Sequence, residues 1–198
     1  AIARHVAVPA ERSPDRALVR LNMIGSADGA AEVSGRSGAL GNHDDSLVFG
    51  ALRAAADAVV VGIATAVSEH YHAPTGADAQ IYVVAKEPDV SGDPELFATG
   101  RATLVLPEDA GPDPEGVTTL RVGTGGRVDL ARLVAHLAGK VVMFEGGPAL
   151  AGAMTSLGLV DEFFLTVAPR VISGGAARVV HGPDADITPW ELAHVLVD

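Results

Sequence analysis

Residues 141–157 read VVMFEGGPALAGAMTSL, and this stretch decides the fold. Val141 to Phe144 is an unbroken apolar run of the kind buried on both faces of a parallel sheet. Gly146 and Gly147 end it, and Pro148 suits the first turn of a helix that carries Leu150, Met154 and Leu157 on one face. Glycines between a buried strand and a helix N-terminus let backbone N–H groups approach a phosphate with no side chain in the way, and the helix dipole adds attraction. The same residues also make a tight strand-to-helix turn that binds nothing. Glu145 adds a carboxylate at the C-terminal end of a central strand, where ligands of open α/β sheets bind.

Working outward, a second unit has the same form. Ala58 to Val61 is a buried strand that runs into Gly62, Ile63, Ala64 and Thr65, whose amides and hydroxyl suit another part of the same dinucleotide or mark ordinary strand termination. Further strands are expected at Ala17–Ile24, Ile81–Ala85, Thr103–Leu106, Val117–Val122, Phe163–Val167 and Leu192–Val197, which makes about eight. Between them, Asn42 is a suitable N-cap for a helix to Ala56, with Val48, Leu52 and Ala55 as its buried stripe. A short helix is expected near 94–98, and Leu130, Leu133, Val134 and Leu137 outline another that Gly139 closes. Alternating strands and helices of this kind give an α/β fold. With no internal repeat and no linker, residues 17–198 read as one domain after a loose leader, 1–16.

Composition narrows the chemistry. The chain has 198 residues, enough for a core without disulfides, and it has no cysteine. That removes disulfide frameworks, thiol nucleophiles, iron–sulfur clusters and thiolate zinc sites. Fourteen basic against 25 acidic residues leave a net charge of −11, so the surface as a whole repels nucleic acid, and an anionic ligand must be held locally. The most apolar stretch, 50–67, is interrupted by Arg53 and Asp57, so no membrane span is expected. His70 and His72 are spaced to chelate but have no third ligand close in sequence, so no metal is expected. Gly123-Thr124-Gly125-Gly126 is only half of a G-x-G-x-x-G fingerprint and has no acidic residue at the right distance, which argues against a common dehydrogenase.

Several motifs fall in a telling order: Asn22-Met23-Ile24-Gly25-Ser26-Ala27-Asp28-Gly29, Gly35-Arg36-Ser37-Gly38, Leu52-Arg53-Ala54 with Asp57-Ala58, and Gly62-x-x-Thr65. They continue through Phe144-Glu145-Gly146-Gly147-Pro148 and Leu159-Val160-Asp161-Glu162 to Ala168-Pro169 with Gly174-Gly175. Together they resemble the reductase domain of the riboflavin-pathway bifunctional deaminase-reductase, in its single-domain actinobacterial-type branch, within the dihydrofolate-reductase-like superfamily. The resemblance implies a three-layer α/β/α fold with a mostly parallel central sheet and an antiparallel final strand. It also implies a homodimer that transfers a hydride from NADPH to ribose C1 of 5-amino-6-(5-phosphoribosylamino)uracil, and the cytoplasm is the default compartment for such a cysteine-free chain. A dihydrofolate or pterin reductase, and an NADPH-binding relative without chemistry, are the alternatives.

By the same resemblance, Gly62, Thr65, Gly146 and Gly147 hold the cofactor, flanked by Ile63 and Pro148, and Lys86 meets its 2′-phosphate or is a solvated surface lysine. Ile63 stands where the family has a cation. Asn22, Ser26, Asp28, Ser37, Arg53, Glu69 and Glu145 are expected around the substrate, with Arg36 or Arg53 on its phosphate. Glu145 or Glu69 would supply the proton if burial raises a pKa. Asp28 is equally suited to turn chemistry. Asp45, with Phe49 four residues on, resembles the acidic residue of dihydrofolate reductases or serves as a first-turn helix charge.

Overall fold

The apolar runs become the strands of one sheet in a computed structural model that describes residues 2–10, 13–71, 79–98, 100–183 and 188–197. The strands are β1 (Leu18–Ser26), β2 (Ala58–Gly62), β3 (Gln80–Val84), β4 (Ala102–Leu106), β5 (Thr118–Arg121), β6 (Val141–Phe144) and β7 (Glu162–Ala168). The helices are α1 (His43–Ala54), α2 (Ile63–Ser68), α3 (Pro94–Ala98), α4 (Leu130–His136) and α5 (Pro148–Ser156), preceded by a 3-10 turn at Ile2–Arg4.

The seven strands lie in the order β5-β4-β3-β2-β6-β1-β7. Every pairing between these strands is parallel. β6, the strand that opens the deciding stretch, is buried along its whole length and pairs with β1 on one side (Val141 beside Leu18) and β2 on the other (Val142 beside Ala58). The expected antiparallel final strand is corrected here. Among the described residues the last strand is β7, parallel to β1, and residues 192–197 form no strand. The reason is the connection: α5 carries the chain from β6 back across one face of the sheet, and a crossover of that kind returns the next strand in the same direction. Leu192, Val195 and Val197 stay exposed.

Side-chain alternation along the strands builds two cores. Val60, Val142 and Phe144 face α4 and α5, where Leu133, Leu137 and Met154 are buried. Val59, Val61, Ile81 and Met143 face the other way, against Leu52 of α1, Ala66 of α2, and Leu96 and Phe97 of α3. Each fully buried Leu, Phe or Met contributes about 1.5–3 kcal/mol relative to an exposed one. Three layers follow. Ile2 and Val6 also pack into the second core, so these residues of the leader are docked.

Local signals fix the helix that matters most to the site. The Asn42 side chain accepts from the Asp45 N–H at 2.9 Å and starts α1, with Asp44 and Asp45 in its first turn. Burial of Leu52 turns the neighbouring Arg53 toward the C-terminal ends of the strands.

Candidate active site

At those strand ends, β1, β2 and β6 meet α1 and α2 around a cavity of about 590 Å³. Met23 and Ile24 of β1, Phe49 and Arg53 of α1, and Thr65 and Glu69 at α2 are among the residues that wall it, with Glu145 and Gly147 following β6.

Glu145 closes the inner end. Its backbone N–H donates to the Val60 carbonyl at 2.9 Å, which keeps it in register with β2. Its side chain is only 3% exposed and takes two hydrogen bonds from Arg53, Nε to Oε1 at 2.6 Å and Nη2 to Oε2 at 2.7 Å. This is the bidentate fork that matches guanidinium to carboxylate. Burial pushes the Glu145 carboxyl up, while the hydrogen bonds and charge of Arg53 pull against that rise. Arg53 is itself held between two rings, Phe49 at 4.5 Å and Tyr71 at 4.7 Å from its guanidinium carbon.

Glu69 follows the last residue of α2. Its Oε1 accepts from the Ser37 N–H at 2.7 Å and the Ser37 hydroxyl at 2.9 Å, tying α2 to the loop that follows β1. Arg36, one residue before, lies 3.1 Å from His70 through Nη2 and Nε2. On the other side, Asp45 lines the cavity from the first turn of α1, and its Oδ1 accepts from the Thr166 hydroxyl of β7 at 2.7 Å.

The two glycine units read separately in the sequence are one structure. The Gly62 N–H donates to the Gly146 carbonyl at 2.8 Å. A Cβ on Gly147 would lie 2.6 Å from Thr65 Oγ1, and one on Gly146, at φ +79, would lie 2.7 Å from the Met23 sulfur. Only glycine fits at either place. Neither α2 nor α5 is capped by a side chain at its N-terminus, so first-turn N–H groups of both helices are open beside this cradle. A nicotinamide dinucleotide fits such a donor set, with Thr65, Gly147 and Pro148 lining the cavity.

Other expected residues lie elsewhere. Asp28 does not line the cavity: it accepts from the Ser26 hydroxyl at 2.5 Å and from the Ser173 N–H at 2.8 Å and Ile172 N–H at 3.2 Å. The Ser26 hydroxyl first, then the Ser173 and Ile172 amides, hold its carboxyl down at about 2. These bonds place Asp28 in the turn that follows β1, outside the cavity lining. Ser26 is buried in that same network, its hydroxyl accepting from the Ala30 N–H. Arg36, Gly62, Ile63, Gly146 and Lys86 are not among the lining residues, though Gly62 and Gly146 shape the cradle and Lys86 is exposed just beyond β3. Asn22, Ser37, Asp45, Arg53, Glu69 and Glu145 all reach the cavity. His72 lies outside the described residues, among which no group of three or more His, Asp or Glu is placed to hold a metal. Among the described residues no helix is long and apolar enough to cross a membrane.

Sequence reasoning missed Thr166 and Tyr71. Thr166 carries no local signal, because its partner Asp45 is 121 residues away. For Tyr71, the only available clue was an aromatic just past Glu69.

A family model described as the RibD C-terminal domain matches residues 17–198. The chain belongs to the RibD C-terminal domain family. This RibD C-terminal domain is 30% identical over 174 residues to the 2,5-diamino-6-ribosylamino-4(3H)-pyrimidinone 5′-phosphate reductase of Methanothermobacter thermautotrophicus, a match covering 79% of the chain and 76% of the relative. A pyrimidine reductase-like protein of Corynebacterium diphtheriae shares its structure with a TM-score of 0.71 and 25% identity, over 86% of this chain and 82% of that one. A dihydrofolate reductase of Enterococcus faecalis, complexed with NADP(H), shares the fold at a TM-score of 0.54 and 13% identity, over 85% and 79% of the two chains.

Proposed function

We propose that this RibD C-terminal domain is the NADPH-dependent pyrimidine reductase of riboflavin biosynthesis, acting at ribose C1 of a phosphoribosylaminopyrimidine. The observation that carries the reading is the Arg53–Glu145 fork, buried at the inner end of a cavity that also borders the Gly146–Gly147 cradle. A cation and a dinucleotide cradle in one cavity suit a phosphorylated substrate beside a nicotinamide cofactor.

The reaction reduces the C1=N bond of the ring-opened ribosylamine, with a hydride to carbon and a proton to nitrogen. Bound NADPH would supply the hydride, leaving NADP⁺. Thr65, Gly147 and the open N–H groups of α5 would hold the cofactor, and Lys86 would meet its 2′-phosphate. The chain's own residues do the rest. Glu145, with both oxygens committed to Arg53, fixes that guanidinium and serves binding. Glu69 is committed to Ser37 through one oxygen and is our candidate to hand over the proton. Asn22 and Asp45 line the substrate side. We also assign the chain to the cytoplasm and to a homodimer in which exposed Leu165 and Val167 of β7 are covered.

The test is NADPH oxidation followed in the presence of the phosphoribosylaminopyrimidine, with NADH as the comparison cofactor. Turnover with NADPH that is lost in Arg53→Met is the expected result. No turnover of the pyrimidine would overturn the reading. Asp45 at the cavity wall favours one second reading, dihydrofolate reduction, and turnover of dihydrofolate alone would establish it.

A further inference from the structure

Three consecutive residues after α2 each meet a different part of the cavity. Glu69 accepts from Ser37, His70 meets Arg36, and Tyr71 lies against Arg53. The backbone delivers them through a paired helix cap. The Tyr71 N–H donates to the Ala66 carbonyl at 3.0 Å, and the His70 N–H donates to the Val67 carbonyl at 3.3 Å. Such a cap needs a left-handed residue at its turning point, where glycine is the usual choice, and His70 fills it at φ +53. The helix therefore stops at once, and the Tyr71 ring comes to rest 4.7 Å from the Arg53 guanidinium carbon.

Arg53 has a use for that ring. Its Nε–H and one N–H of Nη2 are spent on Glu145, and its other N–H donors lie in the same guanidinium plane. A ligand in the cavity meets this cation along the free edge of the plane. A tilt of the guanidinium about the edge shared with Glu145 would swing those donors away. Phe49 does not prevent the tilt relative to the sheet, because it stands one turn before Arg53 on the same helix and moves with it. Tyr71 belongs to another element. α2 continues directly from β2, so the ring ties the guanidinium to the sheet that carries Glu145.

We infer that Tyr71 is a positioning residue: its ring, delivered by the cap at His70, fixes the plane of the Arg53 guanidinium so that its free donor edge faces the substrate. Tyr71 acts through Arg53 by its ring face, and its hydroxyl takes no part. The inference rests on the reductase reading above and deepens it.

The experiment is steady-state NADPH oxidation with the phosphoribosylaminopyrimidine. Tyr71→Ala should raise KM for the pyrimidine about 3- to 10-fold, the range of one lost cation–ring contact, and leave kcat within about twofold. Tyr71→Phe keeps the ring and should restore the wild-type KM. NADPH affinity, read by fluorescence titration, should be the same in both variants and in the wild-type chain. A second pair tests the cap. His70→Gly and His70→Val both lose the contact with Arg36, but only glycine accepts the left-handed turn, so KM should rise in the valine variant relative to the glycine one. An unchanged KM in Tyr71→Ala would overturn the inference and leave the reductase reading standing. So would a Tyr71→Phe variant as impaired as Tyr71→Ala, which would assign the effect to the hydroxyl, or a Tyr71→Ala variant that loses NADPH affinity together with KM, which would make the ring a general prop. Equal KM in the two His70 variants would overturn the part given to the cap. A wild-type chain that turns over no pyrimidine would overturn the reductase reading, and this inference with it.

Discussion

Arg53 does three things at once: it neutralises a buried carboxylate, stacks between two rings and presents a cation to the cavity. Its removal is therefore not a surface event. Arg53→Met leaves Glu145 buried without a counter-charge, and losing one partner of a buried pair costs about 3–5 kcal/mol of stability, measurable by urea unfolding. The pH dependence has a definite sign. With Arg53 gone, only burial acts on Glu145, and its folded pKa moves further above the unfolded value near 4.5. The folded state then binds the proton more tightly than the unfolded state. Stability of the variant is highest below that value and falls as pH rises through the raised folded pKa, more steeply than in the wild-type chain. Unfolding midpoints at about pH 5 and about pH 8 check this. Both residues could be singled out from the sequence, Glu145 by its place after a buried run and Arg53 by resemblance. Their pairing could not, because 92 positions separate them and no periodicity links them.

At the scale of elements, the loop after β1, part of which lines the cavity, is tied to residues 172–173 by a carboxylate the sequence left ambiguous. Asp28 joins the end of β1 to residues 172–173, and the Ala27 N–H donates to the Arg170 carbonyl beside it. Because hydrogen bonds hold the folded carboxyl at about 2 against 3.8 unfolded, the tie is fully present above about pH 4 and is lost as pH falls through 2. Asp28→Asn should flatten the loss of stability across that acid window, read from thermal midpoints at stepped pH. An unchanged acid profile would count against the tie. Strands and helices with strong patterns were legible: β6 falls on the expected residues, and α1 starts at the expected cap. α2 was not, because Ile63–Ser68 is too short to show a helical stripe, and its start looks like simple strand termination. The tail at 192–197 failed the other way. Its apolar residues satisfy a strand pattern, but pattern alone supplies no neighbour to pair with.

For the molecule as a whole, β7 is an edge of the sheet whose Leu165 and Val167 are 47% and 61% exposed, with Val171 at 72% just beyond. An apolar face of this kind on a sheet edge calls for cover. The expected homodimer would supply it. Sedimentation should give a dimer, and Leu165→Asp combined with Val167→Asp should shift it to monomer. A wild-type chain that sediments as a monomer at micromolar concentration would rule the dimer out. Sheet direction was misread, since the final strand expected at 192–197 does not form and the α5 crossover brings in β7, the last strand among the described residues, parallel to β1.

The place of β1 has a consequence for how the chain is made. β1 is synthesised among the first elements, yet both its neighbours, β6 and β7, come last. Until residues 141–144 and 162–168 have left the ribosome, Leu21 and Val19 have no sheet to enter, and both edges of their strand stay open. While residues 27–140 are being made, the first strand of this sheet therefore has neither of its partners, which leaves it the segment most open to pairing wrongly.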